Sequence, residues 1–142
     1  MVNFFNEDIN FDLSIEQKQF LKTWITQCIE NFSKHEGDIN IIFASDEYLY
    51  QLNIKYLNHD YYTDIITFDY VNQNQINGDL FISIERVKEN ANIYHEPFER
   101  ELYRVIIHGI LHLIGFSDKT ENQKQIMREK ENFCLSKLDN LN

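Results

Sequence analysis

Residues 104–118 read RVIIHGILHLIGFSD, an apolar run that two histidines interrupt. His108 and His112 lie four residues apart, so a helix places both side chains on one face with Cβ atoms roughly 5–6 Å apart. Two imidazoles at this spacing can reach one metal ion, because zinc–nitrogen bonds are about 2.0–2.1 Å long. Gly115 suits a helix end, and the following turn can bring Asp118 to the same ion. The stretch therefore predicts a helix carrying a three-ligand site whose fourth position is left to water, as in catalytic zinc sites.

The alternative interpretation of the two histidines is ordinary packing. A single histidine in a buried helix is more often a packing residue than a ligand. Two histidines in one apolar helix each need a hydrogen-bond partner, and few polar side chains lie nearby in the sequence. This shortage favours the metal site over the packing role.

Metallopeptidases are the first class of hydrolase with which this motif can be compared. Zincin peptidases carry H-E-x-x-H, in which the glutamate is the general base. This chain has Gly109 in place of that glutamate. The wider spacing follows the metzincin pattern, with Asp118 in place of a third histidine. Metal-assisted hydrolysis stays open, whereas peptide hydrolysis is disfavoured.

Composition limits the other function classes. The chain has 142 residues, 43% of them apolar, which fits one domain with a real core. A formal net charge of −10 opposes non-specific nucleic-acid binding, although a metal ion and a local basic patch can still contact phosphate. No run approaches the roughly 20 apolar residues of a membrane helix, and the first residues do not resemble a secretory signal. Cys28 and Cys134 lack C-x-x-C spacing, which predicts reduced thiols and a cytoplasmic protein.

The rest of the pattern predicts an α+β fold, with a small mixed sheet of about four strands packed against helices. Capping boxes predict helices that begin after Ser14 and after Thr120, and Pro97 lies early in the helix that carries the histidines. The metal-binding helix is expected on the sheet, with its histidines in a groove, and residues 1–142 are expected to form a single metal-dependent hydrolase domain. The predicted strands are 2–13, 38–44, 63–71 and 78–84, with a hairpin tip at 72–77 and short helices after Ser45 and over 85–94.

Several other polar residues receive no catalytic role. Asp64 and Asp79 lie near the proposed groove, where turn capping and strand-end solvation are the expected roles. Glu99 and Glu101 are expected on an exposed helix face near a helix N-terminus. The isolated histidines are expected in solvent; they are His35, His59 and His95.

The same motifs resemble the YbeY endoribonucleases. The family pattern HGxLHLxGYDH is similar to residues 108–118, its L-N…T-D-V-L-S-F segment to Leu52-Asn53 and 63–68, and its GD-x-x-I-S strand to 78–83. The similarity keeps its order over about residues 50–130. It departs at Asp118, where the family has a third histidine, and at Leu57, where the family usually has an arginine that handles RNA.

The resemblance implies a zinc-dependent endoribonuclease that hydrolyses single-stranded RNA during ribosomal RNA maturation. It implies one Zn²⁺ ion on His108, His112 and Asp118 and a ribosomal RNA precursor as substrate. It also implies ribosomal proteins or the small ribosomal subunit as partners, and no membrane. Two alternatives stay open from the residues. One is a non-catalytic, ribosome-associated module in which the metal only braces the fold. The other is a metallopeptidase, which is disfavoured because Gly109 replaces the glutamate of the peptidase motif.

Overall fold

A computed structural model describes residues 1–141 and contains one mixed sheet with helices on both faces. The strand order is β1-β2-β4-β3, in which β1–β2 and β2–β4 are parallel and β3–β4 is antiparallel. The predicted α+β class with four strands is confirmed. The strands are β1 Val2–Asn6, β2 His35–Ala44, β3 Ile65–Asp69 and β4 Gln75–Ser83, and the helices are α1 Ile15–Asn31, α2 Asp46–Leu52, α3 Ile84–Tyr94, α4 Phe98–Ile114 and α5 Glu121–Ser136.

The helix starts follow the local sequence chemistry. Ser14 with Gln17, and Thr120 with Gln123, form the two predicted capping boxes at the start of α1 and α5. Pro97 is the N-cap of α4, so the histidine helix begins one residue later. A π-helical turn at Asn53–Leu57 extends α2, and a short 3-10 turn at Leu138–Asn140 follows α5.

Every predicted strand has at least one boundary that differs in the structure, and β3 covers only Ile65–Asp69 of the predicted 63–71. The first strand ends at Asn6, not at Leu13, and β2 begins three residues early at His35. The β3–β4 hairpin is also tighter than predicted, because Asn72 and Gln75 exchange two backbone hydrogen bonds of 3.0 and 3.1 Å. The strand β4 therefore begins at Gln75 inside the segment predicted as a polar tip.

Most of the apolar core lies between the sheet and the helices α1, α4 and α5. A smaller cluster of Ala44, Leu49 and Ile66 fills the opposite face of the sheet beneath α2. Cys28 and Cys134 are buried in the main core as free thiols. Within residues 1–141, no helix has the length and apolar character needed to cross a membrane.

Glycine sets how closely α4 approaches the sheet. A Cβ atom at Gly109 would lie 2.7 Å from Ile65 Cδ1 and 2.9 Å from Leu80 Cδ2, closer than packed carbon atoms come. On the strand side, a Cβ at Gly78 would lie 2.7 Å from Leu113 Cδ2. This close contact holds the histidine face of α4 beside β3.

Candidate metal centre

The helix α4 and the turn after it bring the three predicted ligands together. His108 and His112 lie one turn apart on α4. Gly115 ends the helix with φ of 126°, a conformation that costs glycine little, and its N–H donates to the carbonyls of Leu111 and His112. The chain then reverses, so that Asp118 returns over the histidine face before α5 begins.

The donor atoms of these residues form a small triangle. The Nε2 atoms of His108 and His112 are 3.2 Å apart, and Asp118 Oδ2 lies 3.3 Å from the first and 3.5 Å from the second. Ligand bonds of about 2.0–2.1 Å at tetrahedral angles separate neighbouring donors by about 3.3 Å. The three atoms therefore have the spacing of one face of a tetrahedron around a metal ion.

A carboxylate from α5 holds one of the imidazoles in place. Glu131 Oε2 accepts a 2.7 Å hydrogen bond from His108 Nδ1, and Arg104 Nη1 donates to the other oxygen of Glu131 at 3.2 Å. A proton fixed on Nδ1 leaves the Nε2 lone pair directed at the triangle, which is how carboxylates orient histidine ligands in metal sites.

Sequence analysis missed Glu131. Its side chain is only 7% exposed, and the residue lies in the buried stripe of α5 between Met127 and Cys134. A charged residue at a core position of an amphipathic helix needs a partner inside the protein. The spacing of Met127, Glu131, Cys134 and Leu135 was the signal that could have identified it.

The pKa shifts at the site reflect burial and crowded charges. Burial alone would lower the pKa of His108, but Glu131, Asp118 and Asp64 raise it above its ordinary value. Burial and the neighbouring His108 lower the pKa of His112. A metal ion must displace the proton that these carboxylates favour on His108, so metal affinity should fall in acid.

The triangle lies in a cleft made of two cavities that share Asp64, Ile65, His108 and Asp118. The larger, about 670 Å³, extends past His112 toward Leu57 and Lys119, and the smaller, about 290 Å³, extends along α4 toward Arg104. Leu57 is therefore an apolar wall of the cleft at the position where the resemblance expects an arginine.

Three acidic residues near the histidine motif lie in different surroundings. Asp64 lines both cavities and accepts a 3.3 Å hydrogen bond from Asn90, and burial raises its pKa. Asp79 accepts from Asn40 on the sheet, away from the residues that line the cleft. Glu101 was expected on an exposed face, and this expectation is wrong: the residue is 4% exposed and lies near Arg104.

The position of Gly109 bears on the peptidase alternative. An added Cβ there would meet Ile65 of β3 and Leu80 of β4, about a quarter turn around α4 from His108. A glutamate there would have to displace these packed side chains. The packing of α4 therefore adds to the case against a zincin mechanism.

Comparison with known proteins identifies the family. A sequence model of the family described as endoribonuclease YbeY matches residues 3–139. A protein of Christiangramia forsetii named endoribonuclease YbeY is 50% identical over 130 residues, covering 92% of this chain and 89% of that protein. One of the same name from Parabacteroides distasonis is 47% identical over 135 residues, covering 95% and 94%.

A solved structure agrees with these sequence matches. The solution structure of a Thermotoga maritima protein superposes with a TM-score of 0.69 at 25% identity, covering 97% of this chain and 89% of that one. The agreement extends over nearly the whole sheet and helix arrangement described above. By family match, sequence identity and fold, the chain belongs to the endoribonuclease YbeY family.

Proposed function

We propose that this protein is a metal-dependent endoribonuclease that hydrolyses phosphodiester bonds of single-stranded RNA during ribosomal RNA maturation. The observation that carries the proposal is the donor triangle of His108, His112 and Asp118, which lies in an open cleft of a chain from an endoribonuclease family. Residues 1–142 act as a single domain, because one core connects elements from Val2 to Leu138.

The proposed cofactor is one Zn²⁺ ion held by His108, His112 and Asp118. Two imidazoles and a carboxylate suit zinc, and three protein ligands leave one position for water or substrate. When bound, such an ion lowers the pKa of a water molecule and polarises a phosphoryl oxygen. Glu131 keeps His108 in the tautomer that can bind the ion.

Cationic side chains line the cleft, although Leu57 replaces the arginine that the family usually has. Lys119 lines the larger cavity and Arg128 lines the smaller one, on either side of Asp118. Both can contact phosphate oxygens of RNA in the cleft. A ribosomal RNA precursor as substrate implies a cytoplasmic location and contact with ribosomal proteins or the small ribosomal subunit.

A second candidate function is a ribosome-associated module in which the metal ion only braces the fold. The apolar Leu57 in the cleft and the net charge of −10 favour this candidate, since both weaken phosphate binding. A metal ion on α4 and Asp118 would tie the start of α5 to the core. RNA cleavage by the purified protein separates the two functions.

The direct test incubates zinc-loaded protein with single-stranded RNA and with a duplex of the same sequence. We expect cleavage of the single strand, suppression by a chelator, and recovery when zinc is added back. Cleavage that is insensitive to the chelator contradicts a metal mechanism. A protein that binds zinc and cleaves neither RNA supports the bracing module.

Asp118 tests the ligand set, because it replaces the family histidine. Asp118→Ala should weaken zinc binding by more than about 100-fold, a larger effect than outer-shell substitutions cause, and should leave the fold intact because the side chain is 36% exposed. Asp118→His should retain zinc, since imidazole is also a zinc ligand. A neutral imidazole leaves more positive charge at the site, so the acid limb of the pH–rate profile should move to lower pH.

The measurement is a competitive zinc titration with a chromophoric chelator, followed by a pH profile of RNA cleavage. Glu121→Ala, which removes an exposed carboxylate that pairs with Lys124 Nζ at 3.5 Å, serves as a control for the loss of a nearby carboxylate. If Asp118→Ala titrates like the wild type, Asp118 only shapes the turn before α5 and a different residue completes the site.

A further inference from the structure

We propose that Tyr61 and Tyr94 form two base-stacking subsites, one on each side of the metal centre, that hold single-stranded RNA by its bases. This inference rests on the proposed function for its RNA substrate. It concerns how the cleft binds the strand, not how the phosphodiester bond is cleaved.

The first observation is where the two rings lie. Tyr61 lines the larger cavity, which extends past His112, and Tyr94 lines the smaller cavity, which extends the other way along α4. Both cavities include His108 and Asp118, so an RNA strand that follows the cleft passes one tyrosine, then the metal centre, then the other tyrosine. Such an arrangement addresses nucleotides on both sides of the bond to be cleaved.

The second observation is that both rings are open to solvent on rigid supports. Tyr61 is 53% exposed and Tyr94 is 60% exposed. Asn53, which is 1% exposed, donates a 2.9 Å hydrogen bond to the Tyr61 carbonyl and so anchors the loop. Tyr94 is the last residue of α3, followed by the left-handed C-cap His95. A tyrosine on an anchored backbone loses little conformational freedom when a base stacks on its ring.

The third observation is that Tyr61 already takes part in a stack. The His59 ring lies nearly parallel to it, with centroids 5.1 Å apart and an angle of 19° between the planes. The Tyr61 hydroxyl also lies 2.9 Å from His59 Nδ1. A nucleobase can extend the stack on an open aromatic face, because every base offers a π-face.

The charge of the cleft explains why stacking is needed. Its two cavities contain five carboxylates but only three Lys or Arg side chains. A bound divalent cation brings the net charge of these side chains to about zero, so the cleft has no excess of positive charge for the RNA backbone. Affinity for a single strand therefore has to come largely from its bases.

The test measures binding of a fluorescent 2′-O-methyl RNA oligonucleotide to zinc-loaded protein by anisotropy. An abasic oligonucleotide with the same backbone and charge should bind at least about tenfold more weakly. Tyr61→Leu and Tyr94→Leu should each weaken binding of the base-containing strand by about tenfold and have little effect on the abasic strand. Tyr61→Phe and Tyr94→Phe, which keep the ring, should bind like the wild type.

The matched control is Tyr70→Leu. Tyr70 is 60% exposed, like Tyr94, but it lies in the β3–β4 turn and lines neither cavity. This variant should bind RNA like the wild type.

Three cations at the cleft also limit the salt dependence of RNA binding, so a plot of log Kd against log salt concentration should have a slope no steeper than about 2.

The outcomes separate this inference from the proposed nuclease activity. Equal binding of abasic and base-containing strands by the wild type, or unchanged binding by both leucine variants, overturns the stacking subsites even if the protein cleaves RNA. Base-dependent binding that is lost in the leucine variants supports them even if no cleavage occurs. A wild type that binds no single-stranded RNA overturns the stacking subsites.

Discussion

The double variant His108→Ala, His112→Ala is expected to carry almost no zinc and to lose RNA cleavage by at least about 1,000-fold, equivalent to about 4 kcal/mol in the barrier. The two imidazoles supply two of the three donor atoms, and Asp118 alone cannot hold the ion. Without the ion, neither water activation nor phosphoryl polarisation is available. Elemental analysis of purified protein and a gel assay of single-stranded RNA measure the two effects.

Stability gives a readout of the same variant that does not depend on activity. A ligand that binds only the folded state raises the melting temperature, so zinc should stabilise the wild type and have no effect on the double variant. His35→Ala is the matched control, because His35 is exposed at the start of β2, away from the cleft. Equal zinc content in the wild type and the double variant contradicts the site, and cleavage that persists in the double variant points to a contaminating nuclease.

The part of the site that is close in sequence was predictable from the sequence alone. His108, His112, Gly115 and Asp118 were predictable because the α-helical period and a glycine stop bring residues close in sequence onto one face. The structure brings the donor atoms of His108, His112 and Asp118 to within 3.5 Å of one another. Binding of zinc itself stays a prediction.

Residues far apart in the chain were harder to place. Glu131 meets His108 only because α5 packs against α4, a tertiary contact that no local period specifies. Glu101 was expected in solvent because its position near a helix N-terminus suits an acid on electrostatic grounds. The packing of α4 buries it instead, and burial raises its pKa. Local sequence chemistry predicted the helix ends well, whereas the positions of Glu131 and Glu101 depend on the packing between helices.

The strand boundaries show the same limit. Asn72 to Asn77 contains only polar residues apart from Ile76, which predicts a turn, yet Ile76 is fully buried and starts the packing of β4. Gln73 takes the positive φ of 55° that lets a shorter turn close at Asn72 and Gln75. One buried isoleucine therefore outweighs its polar neighbours in fixing where the strand begins.

Gly109→Glu, which restores the peptidase motif H-E-x-x-H, is expected to unfold the protein instead of creating a peptidase. A Cβ atom at this position already lies within 3 Å of Ile65 and Leu80 side-chain carbons, and the carboxylate would enter the apolar layer between α4 and the sheet. An unpaired carboxylate in such a place is strongly unfavourable. We expect the free energy of unfolding to fall by more than about 4 kcal/mol, at the severe end of single substitutions.

The companion variant Gly109→Ala separates crowding from charge. Added carbon in a packed core costs about 1–3 kcal/mol, but alanine gains about 1 kcal/mol over glycine within a helix, and the crowded atoms are the ends of flexible side chains. Gly109→Ala should therefore lose about 2 kcal/mol or less and keep its zinc. Urea unfolding followed by circular dichroism measures both variants. A folded Gly109→Glu protein that cleaves peptides would show that position 109 faces the metal, and a metallopeptidase would again be a candidate function. A large loss of unfolding free energy in the glutamate variant but not in the alanine variant would confirm that α4 presents only its histidine face to the cleft.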